Sequence, residues 1–257
     1  MIHVLVTGSE GQLGMSLQKI AQNCSKIQFA FKDKGSLDIT YKEQVKEVFE
    51  KGKFNFCINC AAYTNVEQAE KTPEIAYSVN AEGVKNLAIA CKENGVKLIH
   101  ISTDYVFDGE KNEGYYPSDI PNPINEYGKS KLKGEHYIQE ILNEYMIIRT
   151  SWLYSEFGHN FYKSILEKAK RKETIYVTDS QIGCPTNANN LATHILEIIA
   201  KQDFESGTQH FTDGKAMSWY DFAIKIIKEH KLDSESKIVK DKNYRTFAKR
   251  PTVSILI

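Results

Sequence analysis

The sequence predicts an α/β protein, a doubly wound parallel sheet followed by a small C-terminal lobe. Three observations carry this expectation. Through the first 150 residues, short runs that are apolar on both faces alternate with segments of helical period, the pattern of parallel strands covered by helices on both sides. A glycine turn, Gly8-Ser9-Glu10-Gly11-Gln12-Leu13-Gly14, directly follows the first run and opens the first helical segment. Beyond residue 150 the alternation loosens into spaced helices and short strands. We therefore expect residues 1–150 to form a ligand-binding unit and residues 151–257 to serve mainly as a lobe packed on it.

The elements follow in order. Ile2–Val6 is a strand, and Gln12–Asn23 a helix with Leu13, Leu17 and Ile20 on one face. Ile27–Phe31 is the second strand, and the segment from Tyr41 to Glu50 a helix carrying Val45, Val48 and Phe49. Phe54–Asn59 is the third strand. Pro73 suits a first helical turn, and the apolar stripe from Ile75 to Ala90 ends at the stop signal Asn94-Gly95. Val96–Ser102 is a strand, Asn125–Asn143 a helix and Tyr145–Thr150 a strand. Later helices are expected at 160–171, 188–200 and 218–230, with strands near 174–178, 208–211 and 237–240. Such a sheet binds ligands beyond the carboxyl ends of its strands, so Thr7, Phe31, Asn59, Ser102 and Thr150 mark the positions to inspect.

Composition removes other classes. The 257 residues carry 33 basic and 33 acidic side chains, a net charge of 0, which argues against a dedicated nucleic-acid binder. At 41% hydrophobic and 26% charged, the chain can bury a sizeable core and is not disordered. No apolar stretch approaches bilayer length, and the N-terminus reads as a strand rather than a secretory leader. Five cysteines, an odd number, imply no disulfide framework and point to the cytoplasm. Cys57 and Cys60 have C-x-x-C spacing but no second pair, so they read as buried thiols.

Two motifs carry chemistry. The three glycines Gly8, Gly11 and Gly14 allow a tight turn, close backbone approach to a pyrophosphate and close helix–strand packing. The helix N-terminus adds free N–H groups for phosphate. An ordinary glycine turn is the bland alternative, and the strand–turn–helix context favours a dinucleotide. Lys32-Asp33-Lys34 ends the second strand, where Asp33 would accept a ribose hydroxyl or the lysines neutralise a 2′-phosphate, leaving NADPH or NADH open. Tyr127-Gly128-Lys129-Ser130-Lys131 places a phenol and an ammonium on one helical face. An adjacent ammonium is expected to lower the tyrosine's pKa from near 10. Thr103 or Ser102, at the end of the fourth strand, could hydrogen-bond a substrate carbonyl in the same cleft. His100, within an apolar strand, reads as a satisfied core histidine. Trp219 reads as core beside the capping box Ser218-Trp219-Tyr220-Asp221. His159 and His194 lack spaced metal-ligand partners, and nothing in the sequence supports Mg2+.

Together these motifs resemble the Rossmann-type extended short-chain dehydrogenase/reductases, and within them the dTDP-4-dehydrorhamnose reductases. The resemblance runs through Asn59–Glu67, Ser102–Gly109, Tyr127–Glu135, Arg149–Tyr154, Asn160-Phe161, Gly183–Thr186 and Lys249-Arg250-Pro251. It implies an NADPH- or NADH-dependent reduction of the C4 ketone of dTDP-4-dehydro-L-rhamnose. The catalytic residues it implies are Tyr127 as proton donor, Lys131 on the nicotinamide ribose and tuning Tyr127, Thr103 completing the triad, and Asp104 beside the sugar. For the cofactor it implies Gly8, Gly11, Gln12, Leu13, Gly14, Asp38, Ile39, Ala61, Ala62, Tyr63 and Asn80, besides Tyr127 and Lys131. Thr103, Asp104, Trp152 and Arg250 are implied for the substrate. Tyr105 stands where the related 4,6-dehydratases carry a glutamate, which disfavours dehydration. Two other functions share these motifs: 4-ketoreduction of another nucleotide 6-deoxysugar, and a non-catalytic cofactor-binding regulatory subunit. A monomer or homodimer is expected, with no nucleic acid or membrane partner. Against the resembled family the chain is short, and its apolar end Ser254-Ile255-Leu256-Ile257 suggests a lobe that closes differently or is weakened.

Overall fold

In the computed structural model, which describes residues 1–232 and 236–257, the two-faced apolar runs lie inside one parallel sheet. Its first five strands are β1 (Ile2–Thr7), β2 (Ile27–Lys32), β3 (Phe56–Asn59), β4 (Lys97–Thr103) and β5 (Tyr145–Thr150). The sixth is Gly207–His210, and the spatial order is Gly207–His210, β5, β4, β3, β1, β2. Every neighbouring pair is parallel. The order reverses between β1 and β3, so their carboxyl ends open a crevice at that switch point.

Helices cover both faces. On one side, α1 (Gln12–Ala21) and α8 (Ala188–Lys201) pack Leu13, Leu17, Leu191 and Ile195 against Val4, Val6, Ile58 and Ile148. On the other, α2 (Lys42–Gly52), α5 (Val84–Asn94) and α6 (Glu126–Ile141) pack Val45, Phe49, Leu87 and Ile138 against Leu5, Cys57, Leu98 and Ile147. The short α3 (Val66–Lys71), absent from the sequence reading, starts at Asn65, whose side chain accepts from Gln68 N–H.

The helix expected from Pro73 to Asn94 is present with an insertion. It runs as α4 (Pro73–Tyr77), a π turn at Ser78–Gly83, then α5. Pro73 starts it and Gly95, at φ +64°, ends it. The π turn carries the Asn80 carbonyl against α6, where a Cβ on Gly134 would lie 2.2 Å from it. Apolar spacing around the turn stays close to helical, so the wider turn leaves no mark in the sequence.

After residue 150 the chain serves two places. The helices α7 (Phe161–Lys170) and α9 (Trp219–Glu229) share a core with the paired strands Thr174–Val177 and Lys237–Lys240. Between α7 and α9 the chain returns to the main sheet through α8 and Gly207–His210. The segment beyond 150 is therefore lobe at its two ends and sheet in its middle. The apolar end is tied down. Val253–Ser254 pairs with Ile182–Gly183, Tyr115 N–H donates to the Ile255 carbonyl at 2.8 Å, and Leu256 is buried against Phe107 and Tyr115. Among the described residues no helix is long and apolar enough to cross a membrane.

The contact at Gly134 gives a direct test. Gly134→Ala must push α6 off the π turn, and overpacking of this kind costs about 2 kcal/mol. The urea midpoint should fall accordingly, whereas a midpoint equal to wild type would mean that the helices separate freely.

Candidate active site

The glycine turn lies at the crevice. Gly8 adopts φ +64°, and a Cβ there would meet the Ala61 amide nitrogen at 2.5 Å. A Cβ on Gly14 would lie 2.5 Å from the Gly8 carbonyl oxygen. Gly11 caps α1 without a side-chain hydrogen bond, leaving the helix N–H groups directed outward. Gln12 joins the turn to the second half of the chain, accepting from Asn160 Nδ2 at 2.7 Å and from Ser155 Oγ at 3.2 Å.

Two adjoining clefts share Glu10, Gly11, Cys60 and Ala62. One, of 340 Å³, is lined by Gly8, Lys34, Asp38, Ile39, Ala61 and Tyr63. The other, of 440 Å³, is lined by Gln12, Leu13, Thr103, Asp104, Tyr127, Lys131 and Trp152. A continuous double cleft across side-chain-free glycines and an open helix N-terminus fits a dinucleotide. Asn80 is not on either wall. Buried in the π turn, it accepts from Tyr63 N–H at 2.8 Å and donates to the Tyr63 carbonyl at 3.0 Å and to Ser130 Oγ at 3.0 Å, bracing the loop after β3 against α6. Asp33 hydrogen-bonds with Ser36 in an exposed turn, and Asp38 accepts from Thr40 N–H and Oγ1.

The Tyr-x-x-x-Lys pair enters the second cleft from the start of α6. Asn125 caps that helix by accepting from Gly128 N–H at 2.7 Å. Gly128 has no room for a Cβ, which would sit 2.1 Å from the Tyr105 carbonyl oxygen, so α6 begins tight against the end of β4. There Thr103 hydrogen-bonds Tyr127, while its hydroxyl also faces Asp104 Oδ1 at 3.0 Å and accepts from Tyr105 N–H. Ser102 is committed elsewhere. It donates to Glu135, which also holds Arg149 Nη2 at 2.6 Å, a fully buried cluster joining α6, β4 and β5. Thr103, of the two candidates, therefore faces the tyrosine.

One electrostatic expectation is corrected. Burial pushes the Tyr127 phenol up to about 12, and the Thr103 hydrogen bond is what opposes the rise. Lys131 is not among the groups that move it, and its Nζ donates to the Ile101 carbonyl at 2.6 Å. Burial brings Lys131 itself down to about 8, against the opposing charge of Glu135. Asp104 is pushed up to about 7 by burial, against the nearby Ser254 and Thr103 hydroxyls, and its Oδ2 has no partner at hydrogen-bond distance.

The substrate candidates divide. Trp152 lines the cleft at φ +48°, stacked on Trp219 with centroids 3.5 Å apart and backed by Gly183. Trp219 thus packs on Phe161 and Phe222 as core while supporting Trp152. Arg250 is on neither cleft wall. Its guanidinium pairs with Glu67 at 3.0 Å, and Glu67 also accepts from Phe247 and Ala248 N–H.

The sequence profile described as the RmlD substrate binding domain matches residues 2–257. The chain belongs to this family. Among family relatives, it is 40% identical to a dTDP-4-dehydrorhamnose reductase of Aggregatibacter actinomycetemcomitans over all of this chain and 90% of that protein. It is 34% identical to the spore coat polysaccharide biosynthesis protein SpsK of Bacillus subtilis, over 100% of this chain and 89% of that one. A crystal structure of dTDP-4-dehydrorhamnose reductase from Bacillus anthracis in complex with NADP superposes with a TM-score of 0.96, at 40% identity, covering 100% of this chain and 91% of that one. The Rossmann-type α/β fold read from the sequence is the fold of the family.

The raised Asp104 predicts a pH dependence. A carboxyl titrating higher in the folded state than in the unfolded one favours folding while protonated, so this stability falls as pH rises from about 4 to about 7. Asp104→Asn should flatten that fall in urea midpoints measured across the range. An unchanged slope would assign it to other groups.

Proposed function

We propose that this chain is an NAD(P)H-dependent oxidoreductase that reduces the C4 ketone of dTDP-4-dehydro-L-rhamnose to dTDP-L-rhamnose. The observation that carries this is the Tyr127–Thr103 hydroxyl pair, set beside Lys131 in a cleft continuous with the glycine turn. Family membership and the activity named for its relatives supply the substrate class.

NADPH or NADH would lie along Gly8, Gly11, Gln12, Leu13 and Gly14, with Asp38 and Ile39 at the adenosine and Ala61, Ala62 and Tyr63 along its length. Asn80 would support that loop. When bound, the nicotinamide supplies the hydride. Tyr127, which burial keeps protonated, gives its phenolic proton to the C4 oxygen while Thr103 orients the phenol and that oxygen. Lys131 binds the ribose and returns a proton to Tyr127. Asp104 stands beside the sugar, where Tyr105 follows it in place of a second acid, so the pair suits reduction rather than elimination of water. Trp152 packs on the sugar or nucleotide. Arg250 is assigned to the substrate diphosphate, which its planar charged fork suits, with Glu67 holding it beforehand. We place this enzyme in the cytoplasm, where the five free cysteines stay reduced, as a monomer or homodimer.

The deciding assay adds dTDP-4-dehydrorhamnose to the protein with NADPH or NADH and follows loss of nicotinamide absorbance. Cofactor binding without oxidation would defeat the proposal. Tyr127→Phe should lower kcat by at least about 100-fold, the lower range for loss of a general acid. Cofactor affinity, read by fluorescence titration, should stay near wild type, and full turnover in this variant would remove Tyr127 from the chemistry.

A further inference from the structure

Three adjacent strands and α6 place four polar side chains in a buried row beneath the glycine turn. Thr7 Oγ1, at the end of β1, donates to Asn59 Oδ1 at 2.7 Å. Asn59 Nδ2, at the end of β3, is 2.9 Å from His100 Nδ1 on β4, and His100 Nε2 is 3.3 Å from Lys131 Nζ. His100 is 0% exposed and Lys131 2%.

The proton positions in this row follow from one backbone group. Ala61 N–H lies 3.1 Å from Asn59 Oδ1 and can only donate, so that atom is the amide oxygen. Asn59 Nδ2 is then the donor toward His100, and His100 Nδ1 must accept. A histidine accepting at Nδ1 is neutral and carries its proton on Nε2. Burial, reinforced by the Lys131 charge, holds His100 well below the usual histidine range, in keeping with a neutral ring. The Nε2–H therefore faces Lys131 Nζ, and only the amine form of Lys131 offers a lone pair to receive it.

We infer that His100 is a positioning residue for Lys131, its Asn59-fixed Nε2–H forming a hydrogen bond that favours Lys131 after it has given up a proton. This rests on the reading of Lys131 as the group that reprotonates Tyr127. In that sequence the Tyr127 O–H bond breaks as the substrate O–H bond forms. A Lys131 N–H bond then breaks as the Tyr127 O–H bond re-forms, leaving an amine whose lone pair accepts from His100. Lys131 finally takes a proton from solvent. Glu135, on the same helix, acts against this release by favouring the ammonium, while burial keeps the Cys60 thiol after β3 neutral. Glu135 is itself engaged by Arg149 from β5, and Ile101 accepts from Nζ in either form. His100 is the donor in this shell that opposes them.

The full chain without ligand provides the test. In 15N spectra of labelled wild-type protein, His100 should show a pyridine-type Nδ1 and a pyrrole-type Nε2 throughout the range from about pH 6 to 9. The opposite tautomer, or an imidazolium, would overturn the inference. The Lys131 Nζ resonance should titrate higher in His100→Leu by roughly one unit, the scale of a single hydrogen bond. His100→Gln can keep an N–H toward Lys131 and an oxygen toward Asn59, so it should retain the wild-type titration. An unmoved titration in His100→Leu, or an equal rise in His100→Gln, would show that packing alone sets Lys131. With substrate, the high-pH limb of kcat should move upward in His100→Leu together with the Lys131 titration. The wild-type tautomer needs neither variant to fold nor any sugar to turn over, so failure of the proposed substrate remains distinguishable.

Discussion

Helix α6 approaches its neighbours so closely that two positions along it tolerate no side chain. At Gly128 a Cβ would strike the Tyr105 carbonyl, and at Gly134 the Asn80 carbonyl of the π turn. Tyr127 and Lys131 lie beside and between these contacts, so the reach of both into the cleft is set by backbone against backbone. Such contacts are stiffer than side-chain packing because neither carbonyl can rotate away without breaking its helix or loop. The buried Ser102–Glu135–Arg149 cluster ties the same helix to β4 and β5. Taking the carboxylate out of this cluster would leave an arginine buried without its countercharge, a strongly unfavourable state. The cleft is thus defined by constraints on α6 more than by any residue lining it.

Burial then sets the chemistry. Removing water disfavours every charged form, so it raises Tyr127 to about 12 and lowers Lys131 to about 8. In water the two groups would titrate close together. Inside the cleft they are driven apart in the sense that keeps the tyrosine protonated and lets the lysine release. Asp104, at about 7, is moved by the same cause. The Thr103 hydroxyl connects the two acids and offsets part of the rise in each. A tyrosine held in its acid form is the state a ketone reduction requires at its start.

Much of this was legible in the amino-acid order because it is local. Two-faced apolar runs marked β1 to β5, and Tyr145–Thr150 was read to its ends. Glycine spacing marked the turn, and an i, i+4 pair marked Tyr127 and Lys131. What escaped depends on distant partners. Nothing near Lys131 says that the Ile101 carbonyl will take its ammonium, and nothing near Arg250 announces Glu67, 183 residues earlier. Ser102 and Thr103 were equivalent in sequence, and Glu135 together with Arg149 separates them in space. His100 looked like an ordinary core residue because the Asn59 that orients it lies on another strand. The return of Gly207–His210 to the sheet was missed for a related reason: an edge strand half-covered on its faces lacks the strong apolar pattern of the central ones.

The second lobe meets the first through polar contacts that also concern α6. Glu67, just past the loop that follows β3, accepts from Phe247 N–H, Ala248 N–H and Arg250. Asn125, the cap of α6, donates to the Lys249 carbonyl at 2.9 Å. Glu70, on the same short helix as Glu67, accepts from Glu126 N–H at 2.7 Å. The first turn of α6, the loop after β3 and residues 247–250 therefore form one hydrogen-bonded set around Tyr105 and Tyr127. The Arg250 guanidinium offsets the charge of Glu67, the carboxylate that anchors this segment, and Asn125 ties the segment to the cap beside Tyr127. Residues 247–250 and the first turn of α6 are thus joined through the side chains of Glu67, Glu70, Asn125 and Arg250.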